Sequence, residues 1–283
     1  MPLRIFTNLS SLNAQRNYGI NSNMLSTSLA RVASGLRVNR SADDAAALSI
    51  STSLNSDART LAQGAQNLND GLSMAKVAEG GINEQANIII RMRELATQAA
   101  SSTIGQNQRD TVQLEFSSLM KELDRISATS EYNGQKLLDG SLSATALNEV
   151  VLQIGLNSNS NNRISLNQDI NITSTSSSGL NISTLSVSSQ SQAVTAMQNL
   201  TSATTTLNGV RARIGATENR FTIALNNLNV SVVNLTSAES GFKDADMAAE
   251  FATLTRNQIL SQASQAMVGQ SNLLPQGVLQ LIR

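Results

Sequence analysis

Apolar residues recur along this chain in steps of seven. Leu61, Leu68, Ala75, Ile82, Ile89 and Ala96 form one unbroken ladder, with Ala65, Leu72 and Ala86 between them at spacings of four and three. Leu200, Leu207, Ile214, Phe221, Leu228 and Leu235 form a second, accompanied by Val210, Leu225 and Val232. A seven-residue repeat held this long keeps its stripe on one side only if the helix winds around a partner. The spacing therefore predicts two long coiled-coil helices. A long helix in an ordinary bundle is the plainer alternative, and two matched ladders weigh against it.

A shorter amphipathic helix lies between the ladders. Val112, Phe116, Leu119, Leu123 and Ile126 share one face, with Lys121, Glu122 and Arg125 outside it. Ser101 to Gly105 reads as the turn before it, and the Asn133-Gly134 pair as a tight turn with positive φ after it. From about 140 to 190 the period changes. Val150, Leu152 and Ile154 alternate, an Asn/Ser run intervenes, and Ile164 and Leu166 alternate again, which predicts a small β-hairpin. The run Ser174 to Gly179 reads as a flexible surface segment.

The two ends repeat the helical theme almost without charge. Leu25, Leu29, Val32 and Leu36 are spaced four, three, four, and Leu260, Met267, Leu274 and Leu281 are spaced by seven. No charged residue stands between Arg256 and Arg283, and no acidic one before Asp43. A solitary surface helix carries charge on its outer face. These helices are expected to pack against other polypeptide on several sides, and to be mobile until they do. Gly35 and the stretch Arg37 to Arg40 interrupt the first of them, and Ser41-Ala42-Asp43-Asp44 reads as the next helix start, with a hydroxyl cap. A break is expected at Ser240 to Lys243, with Asp244, Asp246 and Glu250 opening the last helix. Those acids lack the glycine and oxygen spacing of a calcium loop, so capping is the reading preferred to metal binding.

Composition narrows the chemistry. The 283 residues include no cysteine, histidine or tryptophan, 20 basic and 20 acidic side chains, and only 14% charged residues. A soluble domain usually carries about a quarter, so the surface is amide- and hydroxyl-rich. Without histidine there is no His-based triad or His metal site, and without cysteine no thiolate, disulfide or zinc ribbon. Neutral charge and 2% aromatic residues make a poor nucleic-acid binder. No apolar run reaches the length of a bilayer span, so no membrane insertion is expected, and the first residues turn polar too soon for a secretory signal. No P-loop, G-x-S-x-G or dinucleotide fingerprint occurs, so neither an enzyme nor a bound cofactor is expected. Asn171-Ile172-Thr173 and Asn181-Ile182-Ser183 match the glycosylation acceptor pattern, which a chain so rich in these residues meets by chance.

Particular stretches point further. Ser34 to Ala46 (SGLRVNRSADDAA), Leu68 to Ser73, Arg91 to Ala96, Tyr132 to Leu138 and Leu274 to Arg283 closely resemble bacterial flagellin motifs, in family order at both ends. The resemblance covers about 1–140 and 190–283. It implies a mainly α fold of long antiparallel coiled-coil helices from both chain ends, with a small β-hairpin and with the termini paired in a second helical coiled coil. It implies an inner terminal domain, 1–43 with 241–283, packed through Leu25, Leu29, Val32, Leu36, Leu260, Met267, Leu274 and Leu281. An outer helical domain would span 44–240, including the 140–190 region, with its seam on the two ladders. Only about 50 residues separate the helical flanks, too few for the large variable domains that many flagellins carry.

The function implied is a secreted structural subunit that self-assembles into the flagellar filament for swimming. A flagellar export chaperone and a cap protein are implied as partners. The alternatives are a hook–filament junction protein and a secreted coiled-coil adhesin. Flagellins sensed by the animal Toll-like receptor for flagellin share an arginine, a leucine and a glutamate, which the Arg-x-Arg-Glu-Leu motif carries onto Arg91, Leu95 and Glu115. Arg91 and Leu95 are four apart, so the expected face sets a cation beside an apolar knob.

Overall fold

The computed structural model describes the backbone of residues 8–281 and the side chains of 8–273. Six helices and four short strands follow in the order α1 (Leu9–Ser34), α2 (Ala45–Ala100), α3 (Gln106–Thr129), β1 (Glu131–Tyr132), β2 (Gln135–Lys136), β3 (Val151–Gln153), β4 (Arg163–Ser165), a single turn α4 (Leu166–Asp169), α5 (Gln190–Lys243) and α6 (Met247–Leu281). β1 pairs antiparallel with β2, and β3 with β4. Close contacts divide the chain into two compact units: residues 58–232, and the residues up to 57 together with those from 233 onward. The two boundaries, after 57 and before 233, lie nearer the middle of the chain than the 43/241 division expected from sequence.

In the 58–232 unit the ladder of α2 is buried from Leu61 through Leu68, Ile82 and Ile89 to Ala96. On α5, Leu200, Leu207, Ile214 and Phe221 are buried, whereas Leu228 and Leu235 are only half-buried. The seam is shared with α3, which brings Val112, Phe116 and Leu123 into the same core. β3 and β4 form the hairpin read from the alternation, with Leu152 opposite Ile164. It rests close on α2: a Cβ at Gly64 would stand 2.5 Å from the backbone oxygen of Ile154. The Asn133-Gly134 turn has φ of 50° and 79°, both in the left-handed region that this pair tolerates.

One expectation fails here. The Ser174–Gly179 run is no flexible surface segment, because Thr175 and Ser177 are buried. Ile170, Ile172, Leu180 and Ile182 flank it and enter the core, which carries the serines inward with them. Their polar groups are then satisfied locally. Thr175 N–H donates to the Leu138 carbonyl at 2.9 Å, and Ser177 donates through N–H and Oγ to the Asp124 carboxylate of α3 at 2.6 and 2.9 Å. The hydrophobic anchors on either side, and not the serine-rich composition, decide where this run lies.

The helix ends are set by local chemistry. The Asn8 side chain accepts from Ser11 N–H at the start of α1, and Gly35, with φ of 73°, closes it in the left-handed conformation. The acceptor at the start of α2 is the Asp44 carboxylate, bonded to Ala47 N–H at 2.9 Å, and not a Ser41 hydroxyl. Asp246 accepts from Ala248 and Ala249 N–H at the start of α6. The Ser240–Lys243 stretch expected to break the chain is helical, and the break falls just after it.

Candidate functional site

The terminal unit is built on α1 packed against α6. Its seam is polar. Asn257 Nδ2 donates to Ser28 Oγ at 2.9 Å, Ser11 Oγ to Asn272 Oδ1 at 2.6 Å, and Asn8 Nδ2 to the Ser271 carbonyl at 2.7 Å, while Asn21 Nδ2 reaches Ser264 Oγ. Ser11, Ser28, Asn257 and Ser271 are buried there, and Leu254 is the apolar side chain buried with them. Asn257, Ser264 and Ser271 are themselves spaced by seven. The heptad of α6 was therefore legible, but its buried phase belongs to amides and hydroxyls. Beyond the seam the chain clasps itself: Leu36 bridges Asp244, Arg37 N–H donates to the Lys243 carbonyl at 2.8 Å, and Ala245 N–H to that of Gly35 at 3.0 Å.

This phase turns part of the expected packing set away from the α1–α6 seam of the single chain. Leu29 is 56% exposed, Leu260 42% and Met267 59%, so none of them lies in the α1–α6 seam. Leu25, Val32 and Leu36 are half-buried. The side chains of Leu274 and Leu281 lie outside the described residues. Leu9, Leu12, Met24, Phe251, Ile259 and Leu273 are exposed as well. Large apolar groups left in water on two paired helices make an interaction surface.

On the outer face of the 58–232 unit, two of three named residues meet. Arg91 donates through Nε and Nη2 to Glu115 Oε1 at 3.0 and 2.8 Å, and through Nη1 to Glu94 Oε2 at 2.9 Å. The hydrogen bond to Glu94, then that to Glu115 with its charge, raises the guanidinium further above its ordinary value. α2 and α3 are thus joined by a forked pair at the surface. Leu95 does not stand beside it. It is 1% exposed and part of the core, because the position four residues after Arg91 falls on the α2 stripe that contains Met92 and Ala96. The exposed apolar neighbours are Ile90 and Leu114.

No group of acidic residues that would hold a metal ion occurs among the described residues, and none of their helices is long and apolar enough to cross a membrane. Paired ends with a polar seam and uncovered apolar flanks define, by class, a helical subunit made for assembly. Models of the bacterial flagellin N-terminal and C-terminal helical regions match residues 5–143 and 197–282. The chain belongs to the bacterial flagellin family. It is 37% identical to a flagellin of Halalkalibacterium halodurans over 98% of both chains. It is 35% identical to a 30.7 kDa flagellar filament core protein of Treponema maltophilum, over 97% of this chain and 98% of that one. A putative flagellar hook-associated protein from Vibrio parahaemolyticus shares the fold, with a TM-score of 0.58 and 11% identity over 71% of this chain and 100% of that one.

Proposed function

We propose that this chain is a structural subunit of the flagellar filament, exported and polymerised outside the cell for swimming. The observation that carries the reading is the α1–α6 pair, whose hydrogen-bonded seam leaves Leu29, Leu260 and Met267 turned to solvent. Further copies of the chain cover those side chains, and the apolar area removed from water drives assembly. At about 25 cal/mol per Å² of apolar surface, each such leucine or methionine that is covered contributes about 1.5 to 3 kcal/mol to that drive. In this scheme the paired ends and the 58–232 unit act as two separate domains. A junction protein is the weaker alternative, since the hook-associated likeness is one of fold at 11% identity and the flagellin likeness spans nearly the whole chain. The family is structural, and no catalytic role is proposed.

The flanks of α1 and α6 stay uncovered until assembly, which suits an export chaperone that shields them and a cap that adds subunits. The Arg91–Glu115 pair serves a neighbouring subunit in the filament and, on released monomers, the animal Toll-like receptor for flagellin. Leu95 supports that face from beneath. Electron microscopy and sedimentation of concentrated protein test the main reading: filaments of uniform diameter are expected, and a chain that remains monomeric at high concentration contradicts it.

A further inference from the structure

We propose that two amide–hydroxyl rungs set the rotational phase of α6 on α1, and so hold an apolar ridge of α6 out of the seam for a second copy of the chain. The role of the second copy rests on the filament reading. Asn257 Nδ2 donates to Ser28 Oγ, and seven residues along each helix Asn21 Nδ2 donates to Ser264 Oγ. The amide thus comes from α6 at one rung and from α1 at the next. Each amide also makes a longer contact with backbone of the opposite helix, Asn257 with the Met24 carbonyl at 3.4 Å and Asn21 with that of Leu260 at 3.5 Å. Ser264 donates its own proton to the Leu260 carbonyl at 2.6 Å, which leaves its oxygen to accept from Asn21.

The rungs compete with a second way to pack the same helix. Leu260 and Met267 follow Asn257 and Ser264 by three residues each, and three residues fall about 60° short of a full turn. A rotation of α6 by that angle would carry both side chains from solvent into the seam and swing Asn257 and Ser264 out of it. Counted from the Asn257–Ser28 rung, Leu260 is level with Leu25, so α1 offers it an apolar partner. Burial alone favours the rotated phase, because Leu254 is the one large apolar group buried among the described side chains of the two helices. Against it, Ser28 and Asn21 would face Leu260 and Met267 and lose their hydrogen-bond partners in a closed seam. A few buried polar groups select one helix arrangement among several apolar ones in this way. In the rotated phase the ridge would be covered within one chain. In the observed phase Leu260 and Met267 are exposed and open to a neighbour.

Peroxide oxidation of Met267, read by mass spectrometry, reports the phase in monomers, and the critical concentration for polymerisation reports assembly. Asn21→Ala with Asn257→Ala removes both amides and leaves small side chains in the seam. Monomers of this variant should rotate α6, so Met267 should oxidise several-fold more slowly than in wild type and the critical concentration should rise several-fold. Asn21→Leu with Asn257→Leu also removes both amides but makes the present phase apolar. Met267 should then oxidise as fast as in wild type. Unchanged oxidation in the alanine variant, or faster oxidation through loss of the helix pair, overturns the proposal. Equal protection of Met267 in the alanine and leucine variants overturns it as well. If the wild-type chain forms no filament, the filament reading fails and the second copy with it, while the oxidation rates still decide whether the rungs set the phase.

Discussion

Arg91 and Leu95 are four residues apart and do different work. The guanidinium of Arg91 is half-exposed and shared between Glu94 and Glu115, so solvent screens it and its removal costs the fold little. Leu95 is enclosed by the core, and Leu95→Ala should cost about 2 to 5 kcal/mol through lost burial and a cavity. Arg91→Ala together with Glu115→Ala should leave the melting temperature nearly unchanged and weaken both polymerisation and receptor signalling. Lys243→Ala should leave signalling as it is. Thermal melts with a reporter-cell assay separate these outcomes, and normal signalling by the folded double variant removes the receptor role. The sequence located the Arg91–Glu115 pair by motif alone. It did not reveal that Leu95 points inward, because an i,i+4 spacing fixes a shared stripe and not which stripe faces the core.

At the scale of elements, the long ladders were legible because burial and period coincide over many turns. Leu68 is buried in the three-helix core, whereas Leu228 lies where α5 is only half-covered. Leu68→Asp should therefore unfold the 58–232 unit, at a cost of at least about 4 kcal/mol, and Leu228→Asp should lower its melting point far less. Equal losses in a thermal melt contradict the burial gradient along α5. The α1–α6 pair is harder to read from apolar periodicity, because its buried positions include Ser28, Asn257 and Ser271. Only the partner's matching amides and hydroxyls make that phase favourable, and such complementarity spans more than 200 residues of sequence.

Glu218 on α5 adds a pH dependence. Its Oε1 is buried without a hydrogen-bond partner among the described residues. Desolvation, then the charge of Glu79, raises its pKa, against a smaller opposing effect of Lys76. A carboxyl whose folded pKa is raised favours the native state while protonated. That contribution is full below the unfolded value and is lost as pH rises through the folded one. Glu218→Gln should accordingly raise the melting temperature at pH 7 and change it little near pH 4, at about the unperturbed glutamate value. A stabilisation of equal size at both pH values indicates a packing effect instead.

The whole molecule divides its hydrophobic surface between two tasks. The 58–232 unit spends its apolar side chains on an internal core that α2, α3 and α5 share with the strands and the Ser-rich segment. The terminal helices keep amides and hydroxyls in their seam and leave apolar side chains outside it. Composition hinted at this division, since so few charges cannot cover helices exposed on three sides. Two methionines report on the outward faces directly, because Met24 on α1 and Met267 on α6 are both exposed in the single chain. Dilute peroxide oxidises accessible methionine to the sulfoxide, and mass spectrometry reads the rate at each site. Both residues should oxidise readily in monomers and be strongly protected in polymer, with Met74 and Met92 in the core slow in each state. Equal oxidation of Met24 and Met267 before and after polymerisation would show that these faces remain in water, and would contradict an assembly driven by covering them.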